Sequence, residues 1–151
     1  MDIFDASPVR CEVRIDAEPR QVYEYFTDPA RMLGWKGIEA RLEPRPGGEY
    51  WVNVTGKDAA RGRYLELVPQ SRIVFTWAWE AEGHPVASGS SVVEIDFIEA
   101  DGGTLVRLTH SELPIEVREQ HTAGWDHYLE RLVAAASGGD PGLDPWVVRE
   151  H

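Results

Sequence analysis

The residues of this chain best suited to chemistry are His110, His121 and Tyr128. His110 ends a strand-like run, whereas His121 and Tyr128 lie two turns apart on one stripe of a helix-like run. A pair of histidines can transfer protons near neutral pH, so His110 and His121 are candidates for general acid–base catalysis. The structural alternative is that His110 caps local backbone and His121 is a satisfied core residue. We favour the structural alternative, assign no catalytic residue and leave the enzymatic one open.

Other common catalytic patterns are missing from the sequence. The five histidines form no His-x-His or His-Glu-x-x-His pattern, and Cys11 is the only cysteine. We therefore predict no metal site, and no motif indicates a cofactor. Cys11 lies in a predicted strand with no histidine near it in sequence, which favours a buried, unreactive thiol. Ser88, Ser90 and Ser91 stand at a strand start without a Gly-x-Ser-x-Gly elbow, so they are interpreted as hairpin residues.

Hydrophobic periodicity predicts the elements that must position these side chains. A helix opens at residues 17–19, a second occupies residues 28–35 with Asp28 as its cap, and a long one runs from about 114 to 136. Strands are predicted at residues 9–16, 38–43, 49–55, 62–68, 72–79, 90–99 and 104–111, with turns such as 82–85 between them. This order predicts an α+β fold in which a curved seven-stranded antiparallel sheet wraps around the long C-terminal helix.

Strand alternation directs a set of aromatic and imidazole side chains toward the stripe of the last helix. The opposite face of that helix, with His127 and Glu130, is expected to face solvent. Trp35 precedes the sheet and is predicted either to close a cavity mouth or to anchor the second helix. The predicted lining of a cavity between sheet and helix is Trp35, Tyr50, Phe75, Trp77, Phe97, His110, His121, Trp125 and Tyr128.

Composition limits the partners and the compartment. The chain has 151 residues and a formal net charge of −11, with 15 basic residues scattered among 26 acidic ones, so we expect no nucleic-acid partner. No apolar run is long enough for a membrane span, and no signal peptide is visible, so the cytoplasm is the expected location. We expect one domain over residues 1–151, with a core of about 8–137 and a Pro- and Gly-rich tail. Because Trp146 is apolar, packing of that tail is favoured over a partner-binding role.

Short motifs in a fixed order resemble the START-like (SRPBCC) superfamily. They are a strand–helix–helix start, Pro46-Gly47-Gly48, the run Gly62…Glu66…Pro69…Phe75-Thr76-Trp77, Leu108-Thr109-His110, and Gly124-Trp125…Leu129…Leu132. Over residues 8–137 they look most like the branch named for homologues of the heat-shock-ATPase activator. The resemblance implies a helix-grip fold with a deep cavity, which the superfamily uses for lipids, polyketides and other apolar molecules.

Three functions from different classes follow from the residues and the resemblance. The first is binding of an apolar or aromatic small molecule between the sheet and the last helix. The second is a cyclase or dehydratase that uses His110 or His121 as acid or base. The third is a co-chaperone-like interaction module that docks through the outer sheet face or the tail. The eukaryotic co-chaperone of this branch has an additional N-terminal domain that 151 residues cannot accommodate, so a chaperone partner is not favoured. A homodimer is left open.

Overall fold

A computed structural model describes residues 8–80 and 91–148 of the chain. The predicted turn at 82–85, Ser88, Ser90, His84 and His151 lie outside the described residues. The described elements are β1 (Val9–Ile15), α1 (Pro19–Thr27), α2 (Pro29–Met32), β2 (Glu39–Leu42), β3 (Glu49–Asn53), β4 (Ala59–Val68), β5 (Arg72–Trp79), β6 (Ser91–Ala100), β7 (Gly103–Ser111), a 3-10 turn (Ile115–Val117) and α3 (Arg118–Ala136).

These strands form one antiparallel sheet in the order β1-β7-β6-β5-β4-β3-β2. The first and last strands pair at one edge of the sheet. The strand β1 pairs with β7 over its whole length, from Val9 opposite His110 to Ile15 opposite Thr104. The helix α3 returns across this sheet and contacts β1. The structure therefore confirms the predicted fold class, a curved seven-stranded antiparallel sheet that grips a C-terminal helix.

Element boundaries differ from prediction where local signals are weak. The strand β4 begins at Ala59 rather than at Gly62, and its first residues pair with Asn53 and Val52 of β3. Alanine has a low strand propensity, so residues 59 and 60 do not indicate this extension of the strand. The helix α2 ends at Met32, three residues early, and α3 begins only at Arg118, after a 3-10 turn.

Aromatic side chains fill the half of the interior beneath α1 and α2. The ring of Phe26 packs edge-on against Trp35 at 5.1 Å and against Phe97 at 5.4 Å. The ring of Tyr50 stacks on Phe75 at 4.2 Å in the same half of the molecule. Each of these side chains is at most 5% exposed. This half is therefore closely packed by aromatic side chains.

None of the helices in the part of the chain that the structure describes is long and apolar enough to cross a membrane.

Candidate ligand cavity

A cavity of about 210 Å³ lies between β5 and α3. Trp77 and Trp79 of β5 form one side, and His121, Trp125 and Tyr128 of α3 form the other. Because β5 alternates, its two tryptophans point to the same face, and because α3 has a period of 3.6, its three residues share one stripe. The expected convergence of an aromatic strand face on an aromatic helix stripe is therefore present in the fold.

Gly124 gives the cavity part of its depth. It lies on the inward stripe of α3, between His121 and Trp125, and lines the cavity. A Cβ atom built on it meets no heavy atom within 4 Å, so it borders open space. A glycine in the interior of a helix destabilises the helix by roughly 0.5–1 kcal/mol relative to an alanine. This position therefore exchanges some helix stability for room in the cavity.

A chain of hydrogen bonds fixes the orientation of Trp125. Its indole Nε1 donates to Nδ1 of His110 at 3.0 Å. Since Nδ1 accepts, the proton of the neutral ring sits on Nε2, which donates to the Ser91 hydroxyl at 2.9 Å, and Ser91 donates in turn to the carbonyl of Trp77. Burial, with smaller contributions from His121 and Lys36, lowers the pKa of His110 to about 3. His110 is therefore a neutral positioning residue that holds the indole of Trp125 in place.

The ring of His121 is oriented by its own helix. Its Nδ1 donates to the carbonyl of Val117, one turn earlier, at 2.8 Å. The ring centroid lies 5.0 Å from that of Trp77 and 5.5 Å from that of His110, edge-on in both cases. The two histidine rings are thus neighbours, but of the two only His121 lines the cavity.

Lys36 brings a cation to the cavity wall. Gly37, at φ +88°, turns the chain sharply after Lys36, where a Cβ would lie 2.6 Å from a methyl of Val52. The lysine is only 4% exposed, and its Nζ lies 4.3 Å from the ring centroid of Trp125 and 5.8 Å from that of Tyr128. Burial lowers the pKa of Lys36 to about 7. Near neutral pH this amine therefore exists in both protonation states.

The tail (residues 140–148) packs across α3 and closes the cavity on one side. Asp144, only 5% exposed, accepts a hydrogen bond from the Tyr128 hydroxyl at 2.7 Å and lies 2.9 Å from Nε2 of His127. The ring of Trp146 stacks on His127 at 3.9 Å and lines the cavity. Farther along, the amide of Val148 donates to the carbonyl of Thr55. The tail therefore packs against α3, and His127 is covered rather than fully solvated.

Arg131 joins the tail to the segment that carries Lys36. Its Nε donates to the carbonyl of Trp35 at 3.0 Å, and its guanidinium also donates to the carbonyl of Gly142 at 3.0 Å. The indole of Trp35 in turn donates to the carbonyl of Tyr25. With 1% exposure and its indole hydrogen-bonded, Trp35 packs as an anchor of the α2 segment, and it is not among the residues that line the cavity.

The nine predicted lining residues fall into two groups. Those that line the cavity are Trp77, His121, Trp125 and Tyr128. Those that fill the closely packed half or support the wall from behind are Trp35, Tyr50, Phe75, Phe97 and His110. Strand alternation placed Tyr50, Phe75, Trp77, Phe97 and His110 on an inward face, where the structure has them buried. It carries no information about which inward positions meet other side chains and which meet empty space.

Sequence reasoning missed Lys36 and Asp144, and it did not place Trp146. A usable signal for Lys36 was its position in Trp35-Lys36-Gly37, where a tryptophan and a glycine mark a tight, buried connection. For Asp144 the signal was Trp146 two residues later, because an apolar residue in a tail needs a surface to cover. Among the described residues, no group of three or more histidine, cysteine, aspartate or glutamate side chains is arranged to hold a metal.

Cys11 is buried beneath α3. It is 7% exposed, and burial together with a hydrogen bond to Asp126 raises the pKa of its thiol to about 12. A thiol with so little thiolate is a weak nucleophile.

A curved antiparallel sheet that grips a long C-terminal helix over an aromatic hollow defines a START-like helix-grip protein. A family model described as "Activator of Hsp90 ATPase homolog 1-like protein" matches residues 16–137, which is most of the chain. The chain belongs to this family, as its motifs suggested.

Similar proteins of known structure have the same fold. The solution structure of the AHSA1-like protein RHE_CH02687 from Rhizobium etli is 49% identical, has a TM-score of 0.74, and the match covers 95% of this chain and 90% of that one. The crystal structure of CalU16 from Micromonospora echinospora is 29% identical, with a TM-score of 0.70 over 85% of this chain and 75% of that one.

A relative from Schizosaccharomyces pombe, "Uncharacterized protein C1711.08", is 29% identical over 129 residues, or 82% of this chain. This chain spans 35% of the length of that relative.

Proposed function

We propose that this protein binds a small aromatic or otherwise apolar molecule in the cavity between β5 and α3. The observation that carries the proposal is the cavity of about 210 Å³, which tryptophan and tyrosine rings surround but do not fill. Protein interiors are close-packed and leave few voids larger than a water molecule. The ring faces that border an apolar hollow of this size lack packing contacts, and a ligand that enters it supplies them.

The size of the cavity selects among the ligands that the family resemblance implies. An engineered apolar cavity of about 150 Å³ holds benzene, whereas drug-sized ligands occupy pockets of about 300–1,000 Å³. A volume of about 210 Å³ therefore suits one aromatic ring with a short substituent. A long lipid chain or a multi-ring polyketide would need the tail or the α2 segment to move.

Gly124 allows a direct test with a matched control. Gly124→Leu places a side chain into the open space and should abolish binding of toluene, followed by the fluorescence of Trp77, Trp79 and Trp125 and by the thermal shift. Gly124→Ala fills little of the space and should bind toluene like the wild type. Both variants should be at least as stable as the wild type, because each removes a mid-helix glycine. A wild-type protein that responds to no single-ring probe, or a Gly124→Leu variant that still binds, would contradict the proposal.

A second candidate is enzymatic, and its support is that His121 lines the cavity with its ring orientation fixed by Val117. In this version His121 is the acid or base of a cyclase or dehydratase. His110 is less suited, because both of its ring nitrogens are hydrogen-bonded. Turnover lost in His121→Gln while toluene binding persists would support catalysis, and turnover retained in that variant would exclude this residue as the acid or base.

A further inference from the structure

The side chain of Lys36 is a buried cation that the protein itself does not neutralise. Among residues 8–80 and 91–148, no carboxylate forms an ion pair with its Nζ and no acceptor forms a hydrogen bond with it. Its neighbours are the rings of Trp35, Trp125 and Tyr128, at 4.3 to 5.9 Å. Ring faces attract a cation, but they replace its hydration only in part. A buried charge is normally paired, so the missing partner needs an explanation.

The second unmatched donor is the indole of Trp77. Its Nε1 is fully buried, and within the described part of the chain it has no hydrogen-bond acceptor. Buried donors almost always find a partner, and one left without it costs about as much as a lost hydrogen bond. Trp77 lines the same cavity as Lys36. Two donors that line the same cavity, both without acceptors among the described residues, indicate a ligand that brings acceptors with it.

The other ionisable groups on the cavity wall do not supply those acceptors. The Tyr128 hydroxyl is committed to Asp144, and among the described residues no hydrogen bond joins His121 to Lys36 or to Trp77. Asp58 also lines the cavity but forms no ion pair with Lys36. His110, behind the wall, is bonded through both ring nitrogens.

We infer that the cavity selects single-ring aromatic carboxylates, with the Lys36 ammonium pairing with the carboxylate and the Trp77 indole N–H donating to one of its oxygens. This inference rests on the proposed function, because it names the ligand class of the same cavity. The aromatic ring lies among the tryptophan faces, and the carboxylate accepts the two donors that the protein leaves unsatisfied. The volume of about 210 Å³ fits a ring and one carboxylate.

The test compares benzoate, benzamide and toluene, which share a ring and differ in charge and acceptors. Calorimetric titration at pH 6 keeps Lys36 protonated, since burial lowers its pKa only to about 7. Charge-assisted hydrogen bonds are about twice as strong as neutral ones, so the wild type should bind benzoate at least about tenfold more tightly than benzamide. Lys36→Met should lose this preference, and Lys57→Met, which changes the only other lysine, an exposed one, should keep it.

A second readout does not depend on a variant. In protein labelled with ¹³C at the lysine Cε atoms, the two lysines give two signals. Benzoate should move the Lys36 signal and raise the pKa of that amine, whereas toluene should leave the pKa unchanged.

Equal affinities for benzoate and benzamide in the wild type, or a benzoate preference that survives in Lys36→Met, would overturn the inference. If toluene still binds in that case, the proposed function stands and only the carboxylate selection fails. If none of the three probes binds, the proposed function fails as well.

Discussion

Replacing Lys36 by methionine should stabilise the free protein at acidic and neutral pH, by an amount that falls as the pH rises. Burial lowers the pKa of Lys36 from 10.5 to about 7. At about 1.36 kcal/mol per pH unit, this difference corresponds to about 5 kcal/mol by which folding disfavours the ammonium form. Contacts of the ammonium with the aromatic rings contribute about 1–2 kcal/mol in return. Methionine has a similar length and no charge, so the net gain at pH 6 should be about 3 kcal/mol.

The pH dependence of this gain has a definite sign. Below about pH 7 the lysine is protonated in the folded and unfolded states, and the whole penalty acts. Between pH 7 and 10.5 the unfolded chain holds a proton that the folded chain has lost, so stability rises with pH. Between pH 6 and pH 9 about 2–3 kcal/mol of the penalty should be relieved in the wild type, and this contribution should be missing from Lys36→Met.

Urea unfolding at pH 6 and pH 9, followed by tryptophan fluorescence, measures the effect as a difference between proteins. Lys57→Met is the control, because Lys57 is the other lysine of the chain and is exposed in the turn between β3 and β4. It should match the wild type at both pH values. A Lys36→Met protein that is less stable than the wild type at pH 6, or that keeps the full wild-type pH dependence, would refute the reasoning. Both outcomes would mean that the ammonium is adequately solvated or paired in the folded state.

Three further predictions concern Asp144, His110 and Cys11. Asp144→Ala should free the tail and shift the Trp146 emission to longer wavelength. Burial raises the pKa of Asp144, but hydrogen bonds from the Trp146 amide, Tyr128 and His127 outweigh it and hold the pKa below 3.8. The stability that the ionised Asp144 contributes should therefore be present above that pH and lost below it. Asp144→Asn should show no such loss. His110→Ala should lower the free energy of unfolding by about 2–4 kcal/mol, measured by urea unfolding, because it leaves the Trp125 indole and Ser91 without a partner; a change below about 0.5 kcal/mol would contradict a positioning role. Cys11 should resist a thiol reagent at pH 8 until urea unfolds the chain, because its pKa is raised to about 12, and rapid labelling of the folded protein would contradict its burial.

The strands and their inward faces could be predicted because each depends on local alternation. Tyr50, Phe75 and Phe97 were placed on inward faces, and all three are at most 5% exposed. Their exclusion from the cavity could not be predicted, because it depends on contacts with α1 and α2, which are distant in sequence. Tyr23 and Phe26 approach Phe97 from α1, and Tyr64 of β4 donates to the carbonyl of Phe26. The number of aromatic side chains indicates a large interior but not how it is divided.

The groups that were missed belong to segments without periodicity. Lys36 lies in a short connection between α2 and β2, where no repeat reports burial, and its surroundings come from α3, about 90 residues later. Asp144 lies in a tail whose composition is typical of a loop. The polar face of α3 was expected to meet water, because helical periodicity separates apolar from polar residues but cannot show that a later segment covers the polar side. His127 is such a case, since Trp146 stacks on it.

The assignment of His110 shows how one residue type supports two different interpretations of this cavity. A histidine that donates protons must change its charge during turnover, whereas His110 must keep Nδ1 unprotonated, because a proton there would oppose the indole N–H of Trp125. Burial keeps its pKa near 3, so the acceptor persists at any pH near neutrality. The ring that it orients is the one whose face lies 4.3 Å from Nζ of Lys36. The buried histidine therefore fixes the ring that faces the cation, and Lys36, whose pKa burial lowers to about 7, changes charge near neutral pH.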